Sequence, residues 1–433
     1  MNWKDEYKPL LWLIGFFLAA YLMPLQQLDF QVAILSALEL LKWYAREHVL
    51  LCLIPAFFIA GVISVFINQT AVIKYFGAQA KKGVSYGIAA VSGSILAVCS
   101  CTILPLFSGI HKRGAGLGPA IAFLYSGPAI NILAIILTAR ILGLELGIAR
   151  VIGAVSFSVI IGLCMHWIYR REEQEKVAAQ LALPPQTGGH PLWQTSVHFL
   201  VLVAILIFAT WGNPQQKSGF WNLIFTYKWW LVTFFGLLLA GSLITILKMK
   251  PLRVVISAIP IIILALLFPE NPVIAFSGGV ILLSILLSVT AGEPQEWMSA
   301  SWGFAKQILP LLGAGVLVAG FFLGSPEGGR GIIPGQWIAA LVGGNSLWAN
   351  FFASVVGAFM YFATLTEVPI LQGLIAGGMG KGPALALLLA GPALSLPSML
   401  VLRSIIGTQK TVVYVSLVVV MATITGLLYG SLF

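Results

Sequence analysis

Residues 105–131 read PLFSGIHKRGAGLGPAIAFLYSGPAIN, and residues 369–395 read PILQGLIAGGMGKGPALALLLAGPALS. Laid on one another without a gap, at an offset of 369 minus 105, or 264, twelve of the 27 positions are identical. The matches include Pro105 with Pro369, Gly109 with Gly373, Gly114 with Gly378, Gly116 with Gly380, Gly118 with Gly382 and Pro119 with Pro383. The triplet Gly127-Pro128-Ala129 also falls on Gly391-Pro392-Ala393. Chance similarity between apolar helices matches Leu and Ile, not Gly and Pro. Upstream the register holds at Gly93 with Gly357, and after a five-residue slip at Ala60-Gly61 with Ala319-Gly320. The chain is therefore read as two structural repeats, a recurring build of secondary transporters.

The composition says what solvent these repeats meet. Only 9% of the 433 residues are charged and 59% are hydrophobic, with a mean hydropathy of +0.98. A water-soluble fold of this size needs a polar coat that this composition cannot supply. The expected fold class is an all-α polytopic membrane protein of two repeated helical halves, with ten to thirteen membrane segments. The net charge of +10 is spread between apolar spans as headgroup anchors, which argues against nucleic-acid binding. The boundaries read as an N-terminal membrane helix (1–34), a first membrane repeat (35–169), a polar linker (170–194), connecting membrane helices (195–295) and a second membrane repeat (296–433). The run from Leu10 to Met23 is followed by no small-x-small cleavage site, so it reads as a retained helix. The stretch 85–107 reads either as one crossing or as a re-entrant pair of half-helices.

Gly127-Pro128 and Gly391-Pro392 fall about ten residues into their apolar spans, where Pro removes a helical hydrogen bond and clashes with the preceding turn. Breaks at matching places in two halves expose carbonyls and helix ends to an internal cavity. Ser126 and Asn131 in one half and Ser395 in the other add polar side chains, so Ser126, Gly127, Pro128, Asn131, Gly391, Pro392 and Ser395 form the expected solute-binding set. A plain packing kink is the competing reading.

The halves differ most before their first proline. The first has Cys99-Ser100-Cys101-Thr102-Ile103-Leu104-Pro105 and the second Ala363-Thr364-Leu365-Thr366-Glu367-Val368-Pro369. On a regular helix Cys99 and Cys101 point apart, so they converge on one ligand only where the segment is unwound. Thiolates there suit soft ions such as trivalent arsenic or antimony, Cu(I), Zn(II) or Hg(II), which makes Cys99 and Cys101 candidate substrate and metal ligands. Cysteine is also a small core residue, and Cys52 and Cys164 read as packing. Glu367 is the acid most enclosed by apolar sequence. A carboxylate there needs a partner, a cavity or a proton, and it is read as the proton-coupling group. Arg403 is available as its partner, although a role at the interface suits it better.

No phosphate-binding loop, paired CxxC or HExxH occurs, so the chain is read as no enzyme, with no cofactor. Cys99-Ser-Cys-Thr-Ile-Leu-Pro105, Lys112-Arg-Gly-Ala-Gly-Leu-Gly-Pro-Ala120 and Leu124-Tyr-Ser-Gly-Pro-Ala-Ile-Asn131 resemble the predicted-permease family that includes the ArsP organoarsenical efflux permeases. In the second half, Thr366-Glu-Val-Pro-Ile370, Gly378-Met-Gly-Lys-Gly-Pro-Ala384 and Leu389-Ala-Gly-Pro-Ala-Leu-Ser395 are similar to its motifs. The resemblance covers about 40–140 and 300–430. It implies a multi-pass inner-membrane permease of bacteria that exports trivalent organoarsenicals or metal ions, with Cys99 and Cys101 as the thiol site. The partners expected are the lipid bilayer and a small solute or ion, with self-association into a homo-oligomer left open. Two alternatives remain: a channel for an ion or small solute, and a membrane thiol-disulfide oxidoreductase. The second is weakened because Ala363 and Leu365 stand where a relay would place cysteines.

Overall fold

The computed structural model describes residues 3–66, 81–96, 100–130, 132–173, 175, 191–212, 219–324, 330–333, 341–360, 367–376 and 378–432. Their regular elements are all helices. Five of these are long and apolar enough to cross a membrane: Leu28–Phe66, Leu144–Ile168, Trp221–Thr245, Glu293–Leu323 and Thr408–Leu432.

The chain opens with α1 (Trp3–Tyr21), α2 (Leu28–Tyr44), a π-helical turn (Ala45–Leu53) and α3 (Ile54–Phe66). α2 to α3 form one rod, Leu28–Phe66. Sequence hydropathy hides its first half because Glu39, Lys42, Arg46 and Glu47 lie on one face. The other face, Ala33, Ser36, Ala37, Leu40 and Tyr44, is buried at helical spacing. The first repeat continues through α4 (Lys82–Leu96), α5 (Ser100–Lys112), α6 (Leu117–Ala129), α7 (Ile132–Ile141) and α8 (Leu144–Ile168). Between the repeats lie α9 (Leu192–Ala209), α10 (Phe220–Thr245), α11 (Pro251–Leu267) and α12 (Pro272–Ser288). α13 (Glu293–Leu323) packs on the first rod, and α14 (Leu347–Phe359), α15 (Glu367–Ala376), α16 (Lys381–Ala390), α17 (Leu396–Ile406) and α18 (Thr408–Leu432) complete the second repeat. The offset of 264 carries α4 to α8 onto α14 to α18, and it places both ends of α8 on the ends of α18.

Polar contacts at the helix ends fix how the repeats are oriented. Lys410, at the start of α18, pairs with Glu172, just past the end of α8. Lys381, at the start of α16, lies 3.4 Å from Glu145, at the start of α8. The Leu117 amide, at the start of α6, donates to Glu173 beyond the end of α8. Thus α6 runs against α16 and α8 against α18, and the repeats are inverted about an axis in the membrane plane.

The path of each repeat follows. The Tyr86 hydroxyl on α4 donates to the Gly162 carbonyl late in α8 at 3.2 Å, so α4 enters from the face where α6 starts. α5 returns to that face, because residues 113–116 join it directly to α6. The stretch 85–107 is therefore a re-entrant pair. At 13 residues, α5 reaches only about 20 Å, short of a bilayer core. In the second repeat α14 and α15 form the matching pair, with Gly343 and Gly344 bridged to Met379 at its open end. α15, which hydropathy does not separate from its surroundings, is the returning half-helix. α6 and α7 then make one broken crossing, in which α6 ends at Ala129 and α7 begins at Ile132, and α16 and α17 make another, interrupted at 391–395.

Matched glycines let the broken helices press on the full crossings. A Cβ on Gly162 would lie 2.7 Å from the Gly118 carbonyl oxygen, and one on its repeat mate Gly426 would lie 2.7 Å from the Gly382 carbonyl oxygen. Gly162→Ala and Gly426→Ala should each destabilise the fold by roughly 1–3 kcal/mol, since backbone must move to admit the methyl. Melting temperatures of the purified variants in detergent check this, and an unchanged value for both would show that the contact yields freely.

The inverted path also sorts the basic residues of α4 to α8 and α14 to α18. Lys81, Lys82, Lys112, Arg113, Arg170, Arg171, Arg403 and Lys410 gather at the end of the repeats that holds Glu173, against Arg140 and Lys381 at the other. The positive-inside rule predicts that the first end faces the cytoplasm. With the native cysteines replaced by Ser, Glu145→Cys should react with an impermeant maleimide on intact cells and Arg171→Cys only after permeabilisation. The opposite pattern would reverse the orientation.

Candidate functional site

The second break lies against α8: a Cβ on Gly153 would meet Leu389, two residues before Gly391, at 3.0 Å. Of the expected solute-binding residues, Cys99 and Asn131 lie outside the described residues, as does the side chain of Cys101, although its backbone belongs to α5. Gly127 and Pro128 close the buried last turn of α6, which runs to Ala129 before breaking. The Ser126 hydroxyl donates to the Ala89 carbonyl at 2.8 Å and approaches that of Phe123 at 3.1 Å, tying α6 to α4. In the second repeat the helix stops one residue before Gly391. The Ser395 hydroxyl accepts from the Ser398 amide at 3.2 Å, capping α17, and lies 2.7 Å from the Ser398 hydroxyl. Cys52 is buried and Cys164 half-buried on apolar spans.

Glu367 opens α15 and is 1% exposed. Its partner is Arg150 of α8 and not Arg403, which is exposed and donates to the Thr408 hydroxyl at 3.0 Å. Arg150 Nη2 lies 3.5 Å from Glu367 Oε2, and Arg150 Nη1 donates to the Thr138 hydroxyl of α7 at 2.8 Å. Thr138 in turn donates to the Ala134 carbonyl at 2.7 Å. Arg150 is fully buried. Neither Arg150 Nε nor Glu367 Oε1 has a hydrogen-bond partner among the described residues. A Cβ on Gly391 would lie 3.9 Å from Glu367 Oε1, so the Gly-Pro break of the second repeat borders the carboxylate. Arg150 is missed by sequence reading because it lies close to the start of its span, where arginine reads as a headgroup anchor.

The same place in the other repeat is neutral. At the offset of 264, Glu367 corresponds to Ile103, Arg150 to Tyr414 and Thr138 to Leu402. Those three residues, with Leu104, Pro128 and Ser398, line a small cavity. The Tyr125 hydroxyl of α6 donates at 2.8 Å to the carbonyl of its own repeat mate, Leu389. The inversion axis thus passes between a charged locus and a mostly apolar cavity. Among the described residues no cluster of three metal-ligating side chains forms. The chemistry on view is ionic: a guanidinium of one repeat facing a carboxylate of the other, sealed from water.

The UPF0718 protein MJ0584 of Methanocaldococcus jannaschii is 41% identical over 399 residues, covering 89% of this chain and 93% of that protein. The UPF0718 protein YraQ of Escherichia coli is 21% identical over 332 residues, covering 76% of this chain and 63% of that protein. No solved structure matches. Residues 34–431 match the ArsP_1 family, described as predicted permeases, and the chain belongs to that family.

Proposed function

We propose that this membrane permease is a proton-coupled secondary transporter that exports a small thiophilic solute, a trivalent arsenical or soft metal ion, across the inner membrane. The observation that carries the coupling is the buried Glu367–Arg150 contact. It joins the inverted repeats at the level of the helix breaks, where an alternating-access protein holds its site. A carboxylate so placed can take a proton and release its hold on the other repeat, and moving one repeat against the other then changes which face the site opens to.

The thiophilic substrate rests on the two cysteines of the first repeat. Cys99 and Cys101 flank the start of α5, and Ile103 of the same helix lines the cavity. Thiolates favour soft ions over hard ones. Replacing both cysteines by Ser should abolish resistance to the true solute in a deletion strain challenged with arsenicals, antimonite and Cu, Zn or Hg salts. A double Ser variant that protects as well as the parent across that panel would remove the thiol site.

A further inference from the structure

We infer that Arg150, with Glu367 and Thr138, forms a buried site for a single negative charge, filled when Glu367 takes a proton. The inference rests on the proton-coupling reading of Glu367 and names the second ligand of that locus.

Arg150 and Glu367 are both at least 99% buried, yet their one contact is 3.5 Å long. A guanidinium fork built for permanent pairing makes two parallel bonds to a carboxylate at shorter range. Here one atom on each side, Arg150 Nε and Glu367 Oε1, is left without a partner among the described residues. The charges are not needed to hold this fold together, since Tyr414 and Ile103 stand at the matching positions of the other repeat. The pair is under-satisfied as a structural bridge and has donors to spare.

Charge arithmetic gives the ligand class. With Glu367 ionised the locus is neutral. With a proton on Glu367 it carries one buried positive charge, which is strongly disfavoured unless an anion enters. Proton and anion therefore raise one another's affinity. The groups round the locus do not supply the missing charge. α7 offers the Thr138 hydroxyl, and α6 offers Tyr125, whose proton is given to Leu389. α18 offers Tyr414, and α16 brings only Lys381, which is paired at the surface with Glu145. Glu367 is the one carboxylate at this depth among the described residues. The ligand is a monoanion with hydrogen-bond-accepting character: a free inorganic anion, or the anionic group of a transported solute.

The test is proton uptake on anion addition to the purified protein in weakly buffered detergent, followed with a pH indicator. Saturating sodium chloride or sodium formate should draw up to about one proton per chain. Uptake with chloride identifies a free inorganic anion, and uptake with formate alone identifies a carboxylate carried by the solute. Glu367→Gln should bind the anion, seen as a rise in melting temperature, without proton uptake. The uncharged pair Arg150→Gln with Glu367→Gln should show neither response. Absence of uptake by the parent with both anions, or full uptake by the double variant, would overturn the anion site. If the parent takes up no proton while Glu367→Gln still abolishes uphill export, this inference falls and the coupling reading stands. If uptake occurs as expected while Glu367→Gln exports uphill normally, the reverse holds.

Discussion

Arg150→Ala should cost the folded protein roughly 3–5 kcal/mol, the range for removing one member of a buried ion pair. The substitution leaves Glu367 buried without its guanidinium, removes the donor to Thr138, and opens space where a fully buried side chain had packed. The second repeat shows how to separate the loss of charge from the loss of volume. Arg150→Tyr, Thr138→Leu and Glu367→Ile together rebuild the neutral arrangement of Tyr414, Leu402 and Ile103. Replacing a buried ion pair by well-packed apolar groups is often neutral or stabilising. The triple variant should therefore melt close to the parent in detergent, while Arg150→Ala melts far below it and accumulates poorly in the membrane. A triple variant as unstable as Arg150→Ala would show that the charges themselves hold the halves together.

Much of this architecture was legible in the residues because Gly and Pro report backbone geometry. The twelve matched positions between 105–131 and 369–395 predicted the repeats, and the Gly-Pro pairs predicted interruptions, which fall just after Ala129 in the first half and at 391–395 in the second. The path of the chain was not legible. A re-entrant pair and a single crossing have the same hydropathy, and only contacts such as Tyr86 with Gly162 tell which face a half-helix leaves by. The inversion of the repeats was hidden for the same reason, since it is fixed by which ends of α8 meet Lys381 and Lys410. α2 was hidden by its charged face.

At the candidate site, Glu367 stood out because a carboxylate amid apolar sequence has no cheap location in a membrane. Its partner did not. Arg150 and Arg403 both sit near helix ends, and sequence position alone cannot say which reaches the midplane. The structure separates them by burial: Arg150 is sealed and Arg403 is exposed. Thr138 carried no signal, since a threonine within a helix ordinarily satisfies itself on the preceding turn, as this one does.

The coupling claim is tested most directly by Glu367→Gln in everted membrane vesicles, using whichever solute the resistance panel shows the parent to protect against. Gln keeps the size of Glu and an oxygen that can accept from Arg150, but it cannot carry a proton on and off. The variant should reach the membrane in near-parental amount, bind the solute, and fail to accumulate it against a gradient whether or not a proton gradient is imposed. Uphill accumulation by Glu367→Gln at the parental rate, abolished as in the parent by collapsing the proton gradient, would contradict the account.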